Sequence, residues 1–455
     1  MKQKQFVCLP DIDTGLRGTG VVRVLKIQLD VNHDGTIDHA FQGPDNTARD
    51  KPFVFWVNND RDQIGSGGNP DYDIPVLTNS MADYAQGQIR TMRNLEDFAR
   101  LWISGMPTLP ASQGYSVEIG WSQIYSGAPK LRLYWASETN GGIGYLTNTT
   151  TASQQIIDHN SQNGEISPTS SLSLPITLFT NGLPRYFLFE AGARGKGALT
   201  LTIFQGTNTI AQTSAWLDFH DIKDLYEQTV VTNVIQTRPE MVQTNVNSGF
   251  QVLSYATANT GDAKELAVFV HGWRMTEFDW NTFSQSMFKR LYWQGFQGQF
   301  ASLRWPTRSA DTELFSGMDY ITYNRSEHIA FKSATGTASY FNNLRGRYTN
   351  YTISGCAHSQ GNIVMMEALK ELAAANQTPL DNYVMMQAAV PAHCYDATVT
   401  NLPLFNTVEG TVATPNTYTN YAAGITNALR TVGLTRFDGH LGGGALKQKR
   451  TYEQN

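Results

Sequence analysis

YTISGCAHSQGNIVMMEALKEL, residues 351–372, passes from a short apolar run to a helical pattern across five residues, Ala357-His358-Ser359-Gln360-Gly361. The run TISGCA predicts a strand, and Asn362 to Ala375 predicts a helix. A serine on so sharp a strand-to-helix turn takes a strained backbone. Small residues are then needed two positions to either side so that strand and helix can pass closely, and Ala357 and Gly361 meet that need. The helix behind the serine offers backbone amides and the positive end of its dipole to a developing oxyanion. A small-x-Ser-x-Gly string alone also fits a plain tight turn; the flanking strand and helix make it a nucleophile elbow.

Working outward, LAVFV (266–270) is a continuous apolar run of the kind buried on both faces of a sheet, and His271-Gly272-Trp273 follows it directly. A glycine at that strand end lets a backbone N–H approach a substrate carbonyl, which makes 271–273 an oxyanion loop with His271 shaping it rather than serving as the base. Trp280, Phe283, Met287 and Leu291 predict a helical stripe, FASLRW (300–305) a strand, Ser326–Leu344 a helix, and YVMMQAAV (383–390) a further strand. Strands alternating with helices predict a parallel sheet flanked by helices over residues 250–455.

The first half reads differently. Leu25, Ile27 and Leu29, then Leu131, Leu133 and Trp135, then Leu199, Leu201 and Ile203 alternate with polar residues, the period of half-buried strands. Residues 1–150 are expected to form a β-rich domain and 151–225 a sandwich-like unit, separate from the first or continuous with it, with 226–249 as a connector. NLEDFARLW (94–102) is expected to interrupt the strands as a helix, and GARGKG (192–197) to be a turn without phosphate-loop spacing. In DVNHDGTID, the oxygens of Asp30, Asn32, Asp34 and Asp38 with the carbonyl of Thr36 resemble a calcium loop, with Asp60 or Asp62 to complete it. An Asx-rich hairpin turn is the alternative. The ion would be structural, and no cofactor is required for the chemistry.

With 34 Lys plus Arg against 39 Asp plus Glu, the net charge of −5 supplies no basic footprint for nucleic acid. No apolar run approaches the roughly 20 residues of a transmembrane helix. The three cysteines, Cys8, Cys356 and Cys394, lack zinc spacing, and Cys356 reads as strand core. The first residues lack a secretory apolar stretch; the polar, weakly charged composition fits a secreted or cell-surface protein, and localisation stays open.

FVHGW and AHSQGN, in this order along the strand series, resemble the α/β-hydrolase superfamily over residues 250–455. The wider set HGW, FKRLYWQGF, RWPT, AHSQGN and QAAVPAHCYD, behind DVNHDGTID, FWVNND and LEDFARLW, is similar to a group of large bacterial multidomain hydrolase-like proteins. The resemblance implies Ser359 as nucleophile and the amides of Gln360 and Trp273 as the oxyanion hole. It also implies an acid and then a histidine after the elbow. Asp438 fits the acid position and His440 the base; His393, Asp396, or a base beyond the last residue are the alternatives. The expected activity is hydrolysis of a small or lipid-like carboxylic ester through an acyl-enzyme. The competing expectation is a catalytically silent fold used for binding or assembly.

Overall fold

A computed structural model describes residues 24–38, 43–58, 88–89, 96–136, 157–158, 165–234, 247–261, 263–307, 326 and 329–390. The chain divides into two compact units. One comprises Met1–Leu225, Ala256–Asp262 and Gln285–Gln297; the other comprises Tyr226–Tyr255, Ala263–Ser284 and Gly298–Asn455.

The first unit is built on an eight-stranded sheet among the described residues, with a short two-stranded pair, β3 (Gln88–Ile89) and β6 (Ile157–Asp158), beside it in the chain order. Its axis is β9 (Arg185–Gln205), which pairs antiparallel along its length with β5 (Tyr115–Trp135) and, in successive portions, with β4 (Ala99–Ser104) and β10 (Asn208–His220). The outer strands are β1 (Lys26–Gln28) on β4 and β2 (Phe53–Trp56), parallel, on β10. Two short strands, β7 (Glu165–Ile166) and β8 (Leu172–Leu174), complete β5's other edge. Residues 1–150 and 151–225 thus contribute to one sheet.

Two expectations change here. GARGKG lies inside β9, where its glycines let the strand bend against the bulges of β5: a Cβ on Gly195 would sit 2.6 Å from Pro129 Cδ. NLEDFARLW does not continue as a helix, because Ala99–Ser104 is strand β4. Leu101 and Ile103 are fully buried on one face, and the backbone is hydrogen-bonded to β1 on one side and β9 on the other. A ladder on both edges outweighs the local helical spacing of Phe98 and Leu101.

The second unit carries a six-stranded sheet in the order β12-β11-β14-β13-β15-β16. The strands are β11 (Glu227–Thr232), β12 (Gly249–Ser254), β13 (Glu265–Val270), β14 (Gln299–Arg304), β15 (Thr352–His358) and β16 (Asn382–Met386). All pairs are parallel except β11–β12. The predicted connector 226–249 therefore supplies a strand of this sheet. Its helices are α1 (Glu277–Trp293), which runs on into the residues counted with the first unit, α2 (Ala334–Arg347) and α3 (Gly361–Ala374). The core joins Val268, Val270, Leu303, Ile353 and Ala357 from the strands to Tyr340, Phe341, Val364 and Met365 from the helices. Burial of each large aliphatic or aromatic side chain contributes about 1.5–3 kcal/mol.

The buried stripe of α1 is rotated from the expected one. Phe283 is 43% exposed, whereas Trp280, Phe288 and Tyr292 are buried, with Ser284 between them. Trp280 Nε1 donates to Ser302 Oγ (2.6 Å), and Ser284 Oγ lies 2.6 Å from the same hydroxyl. A serine can occupy the core face because it is hydrogen-bonded there.

Chain direction fixes where a site can form in this sheet. From β13 the chain passes through α1 to β14 on one side, then returns through α2 to β15 on the other side of β13. The carboxyl ends of β13 and β15 are thus a topological switch point, the place where open α/β sheets leave a crevice.

Candidate active site

Both sequence-predicted elements leave the sheet at that switch point. β15 ends at His358, and Ser359 follows at φ +52°, in the left-handed region that costs a non-glycine residue about 1–3 kcal/mol. Four hydrogen bonds hold it there. Ser359 N–H donates to Met386 O (3.0 Å), and Ser359 O accepts from Ala389 N–H (3.1 Å), Asn362 N–H (3.1 Å) and Asn362 Nδ2 (2.9 Å), the last of which also donates to Ala357 O (3.0 Å). The Tyr383 hydroxyl in turn donates to Asn362 Oδ1. Ser359 keeps partial exposure, while Gln360 and Asn362 on the turn behind it are fully buried. Asn362 is a residue the sequence argument passed over. Its signal was an amide side chain opening an otherwise apolar first helical turn, where a buried amide must find hydrogen-bond partners.

The two small residues act by close approach. A Cβ on Gly361 would lie 2.5 Å from His271 O and 2.7 Å from Val270 O, so the start of α3 packs directly on the end of β13. A Cβ on Gly272 would lie 2.9 Å from Ser359 Cβ, so the loop after β13 passes against the serine side chain itself.

His271 is fully buried and its ring is stacked on Trp305, with centroids 5.6 Å apart. Trp305 N–H donates to Nε2 (3.1 Å), which places the ring proton on Nδ1, and Nδ1 donates to Gly272 O (2.9 Å). Burial pushes its pKa down to about 3, aided by the charge of Arg304, and the imidazole is neutral with both nitrogens engaged. The ring is a strut. In a trans peptide the C=O and the following N–H point oppositely, so holding Gly272 O on the His271 side turns Trp273 N–H to the other side. His358 precedes Ser359 on the strand, and its buried Nδ1 has no hydrogen-bond partner among the described residues. Burial raises Cys356 to about 11, which keeps it a thiol of the strand core.

Residues 252–425 match the model of a family described as "Alpha/beta hydrolase of unknown function (DUF900)". This part of the chain is an α/β hydrolase domain. No curated protein matches the chain. Among solved structures it is similar to one described as a carbohydrate esterase whose active site has divergent catalytic and non-catalytic binding functions. The identity is 8%, the likeness covers 64% of this chain and 81% of that one, and the TM-score is 0.21.

Of the residues singled out for the hydrolase chemistry, Ser359, Gln360, His271, Gly272 and Trp273 come together at the switch point. Asp438, His440, His393 and Asp396 lie outside the described residues, as do Asp60 and Asp62.

The loop read as a calcium site belongs to the first unit and is tied together differently. Asp30 is buried in an ion pair with Arg100, and its Oδ2 also accepts from Gly35 N–H (3.0 Å). Asp34 accepts from Thr36 N–H (2.8 Å) and from Asn32 Nδ2 (2.9 Å). Asp38 contributes its N–H, to Asp45 Oδ2 (2.6 Å), and Asp45 Oδ1 accepts from Val31 N–H (2.8 Å). Among the described residues no group of three or more His, Cys, Asp or Glu is gathered to hold a metal ion. Arg100 supplies the positive charge that Asp30 faces, and the oxygens of Asp34 and Asp45 are engaged by N–H groups of the loop itself. Burial still pushes Asp30 up to about 7, with Arg100 opposing and Asp45 and Asp34 adding to the rise. Asp45, which was not singled out from the sequence, is the acceptor that ties Val31, Asn32 and Asp38 together.

Proposed function

We propose that the C-terminal domain is a serine hydrolase that cleaves a carboxylic ester through an acyl-enzyme on Ser359. The observation that carries this is a partly exposed serine at φ +52° with the backbone of Gly272 against its side chain. In this scheme Ser359 Oγ bonds to the ester carbonyl carbon while its proton passes to a base. The N–H groups of Gln360 and Trp273 hold the negative oxygen; the alcohol leaves with the proton, and water then releases the acid.

His271 is unavailable as that base, because Trp305 N–H occupies its Nε2 lone pair, its Nδ1 donates to Gly272 O, and burial makes the ring a weak base. We assign the base to His440 with Asp438 as its acid partner, His393 being the other histidine after the elbow. The small or lipid-like ester substrate is likewise part of the proposal.

Labelling of the full chain with a fluorophosphonate probe tests the scheme. Labelling is expected in the wild type, absent in Ser359→Ala, and sharply reduced in His440→Ala but retained in His393→Ala. A folded wild-type chain that takes no label marks the domain as a silent hydrolase fold used for binding.

A further inference from the structure

Given Ser359 as the nucleophile, we propose that Thr307 is a positioning residue of the oxyanion loop, acting through the backbone N–H of Arg274. Arg274 directly follows Trp273 and sits at φ +60°, a conformation that a long side chain adopts only when its surroundings impose it. The imposing contact is Arg274 N–H donating to Thr307 Oγ1 (3.2 Å). Thr307 is buried, and its hydroxyl lies 2.7 Å from that of fully buried Ser326. The Thr307 oxygen accepts from Arg274 N–H while the two hydroxyls share a further hydrogen bond, and together these fix the Thr307 rotamer.

The segment Trp305–Thr307 grips the loop twice more. Trp305 N–H donates to His271 Nε2 (3.1 Å), and Trp305 Nε1 donates to His271 O (2.6 Å). The segment is itself folded back by Thr307 N–H donating to Trp305 O (2.8 Å). Two consecutive peptide planes are thereby set. His271 holds the plane that carries Trp273 N–H from one side, and Thr307 holds the next plane, at Arg274. Releasing the second lets Arg274 relax toward negative φ, and that rotation is transmitted through the Trp273 dihedrals to the amide aimed at the oxyanion. The hydroxyl of Thr307 touches no reacting atom; it keeps a strained turn in register.

The test compares Thr307→Val, which keeps the shape and loses the acceptor, with Thr307→Ser, which keeps the acceptor. Both are made in the full chain and assayed on a neutral short-chain nitrophenyl ester, alongside thermal melting. Expected for Thr307→Val is a fall in kcat of about tenfold or more with KM within about twofold, and a parallel slowing of fluorophosphonate labelling. Thr307→Ser is expected to restore most of kcat. A Val variant with unchanged kcat overturns the proposal. So does a loss that Ser fails to restore, or one accounted for by a smaller folded fraction. If the wild type itself neither turns over the ester nor labels, the serine-hydrolase assignment fails and this proposal with it, an outcome distinct from an active wild type indifferent to Thr307.

Discussion

Replacing Gly272 with alanine separates an oxyanion site from an ordinary loop, because the structure fixes how large the disturbance must be. The added Cβ would stand 2.9 Å from Ser359 Cβ, 3.0 Å from His358 Nδ1 and 3.1 Å from His358 O. Non-bonded carbons settle near 3.5–4.0 Å, so the loop and the serine must separate by about 0.6 Å or more. Catalytic groups tolerate roughly 0.5 Å of displacement before productive geometry is lost. The serine cannot absorb the shift, since four hydrogen bonds hold its peptide groups; the loop must move, carrying Trp273 N–H with it. Loss of one oxyanion donor costs about 100- to 1,000-fold in kcat, which is the range expected for Gly272→Ala, with KM little changed. The assay is steady-state ester hydrolysis with the labelling rate of Ser359 as an independent readout, and a melting curve to confirm the fold. Gly361→Ala serves as the contrast. Its Cβ would meet His271 O at 2.5 Å and Val270 O at 2.7 Å, backbone atoms at the start of the loop and the end of β13, so it is expected to lower the melting temperature as well as the rate. A soluble, folded Gly272→Ala chain with kcat within about twofold of wild type would refute an oxyanion role for residues 271–273.

Further expectations concern protonation and ions. His271 has its folded pKa depressed to about 3 against 6.5 when unfolded, so its contribution to stability is complete above about pH 6.5. It is lost at up to about 1.4 kcal/mol per pH unit as pH falls toward 3, because only the unfolded chain takes up the proton. NMR of the ring should show a neutral imidazole at pH 5, and titration of His271 near 6.5 would contradict its buried, doubly bonded position. For the first unit, dialysis against a chelator should leave the melting transition in place; a transition lowered by chelation and restored by calcium would put a cation at the Asp30 loop after all.

What could be read from sequence here followed from how fully each segment's surroundings are encoded in its own residues. LAVFV is buried on both faces in β13, so hydrophobicity alone marks it, and the Ala357–Gly361 turn needs small residues that the sequence displays. Misreadings fell where a partner distant in the chain decides. Ala99–Ser104 is a strand because β1 and β9 flank it, and Arg100 is buried because Asp30, 70 residues away in sequence, receives its charge. The face of α1 was misplaced because a serine occupies the core position and is satisfied by Ser302. The candidate site divides in the same way. Ser359 and Gly272 are legible because a sharp strand-to-helix turn and a close backbone approach need particular residue types at particular spacings. Asn362 and Thr307 are not, because an amide or a hydroxyl acquires its role only from the carbonyl or N–H that folding brings to it. A site whose reactive groups are written locally and whose supports are written at a distance predicts two classes of damage. Under the proposed scheme, changes at Ser359 are expected to abolish chemistry outright, whereas changes at the supports are expected to leave a folded chain with Ser359 in place and the oxyanion donors misdirected. In the supports, loss of rate should therefore outrun loss of stability, and that separation is what a purely structural role for Asn362 and Thr307 cannot produce.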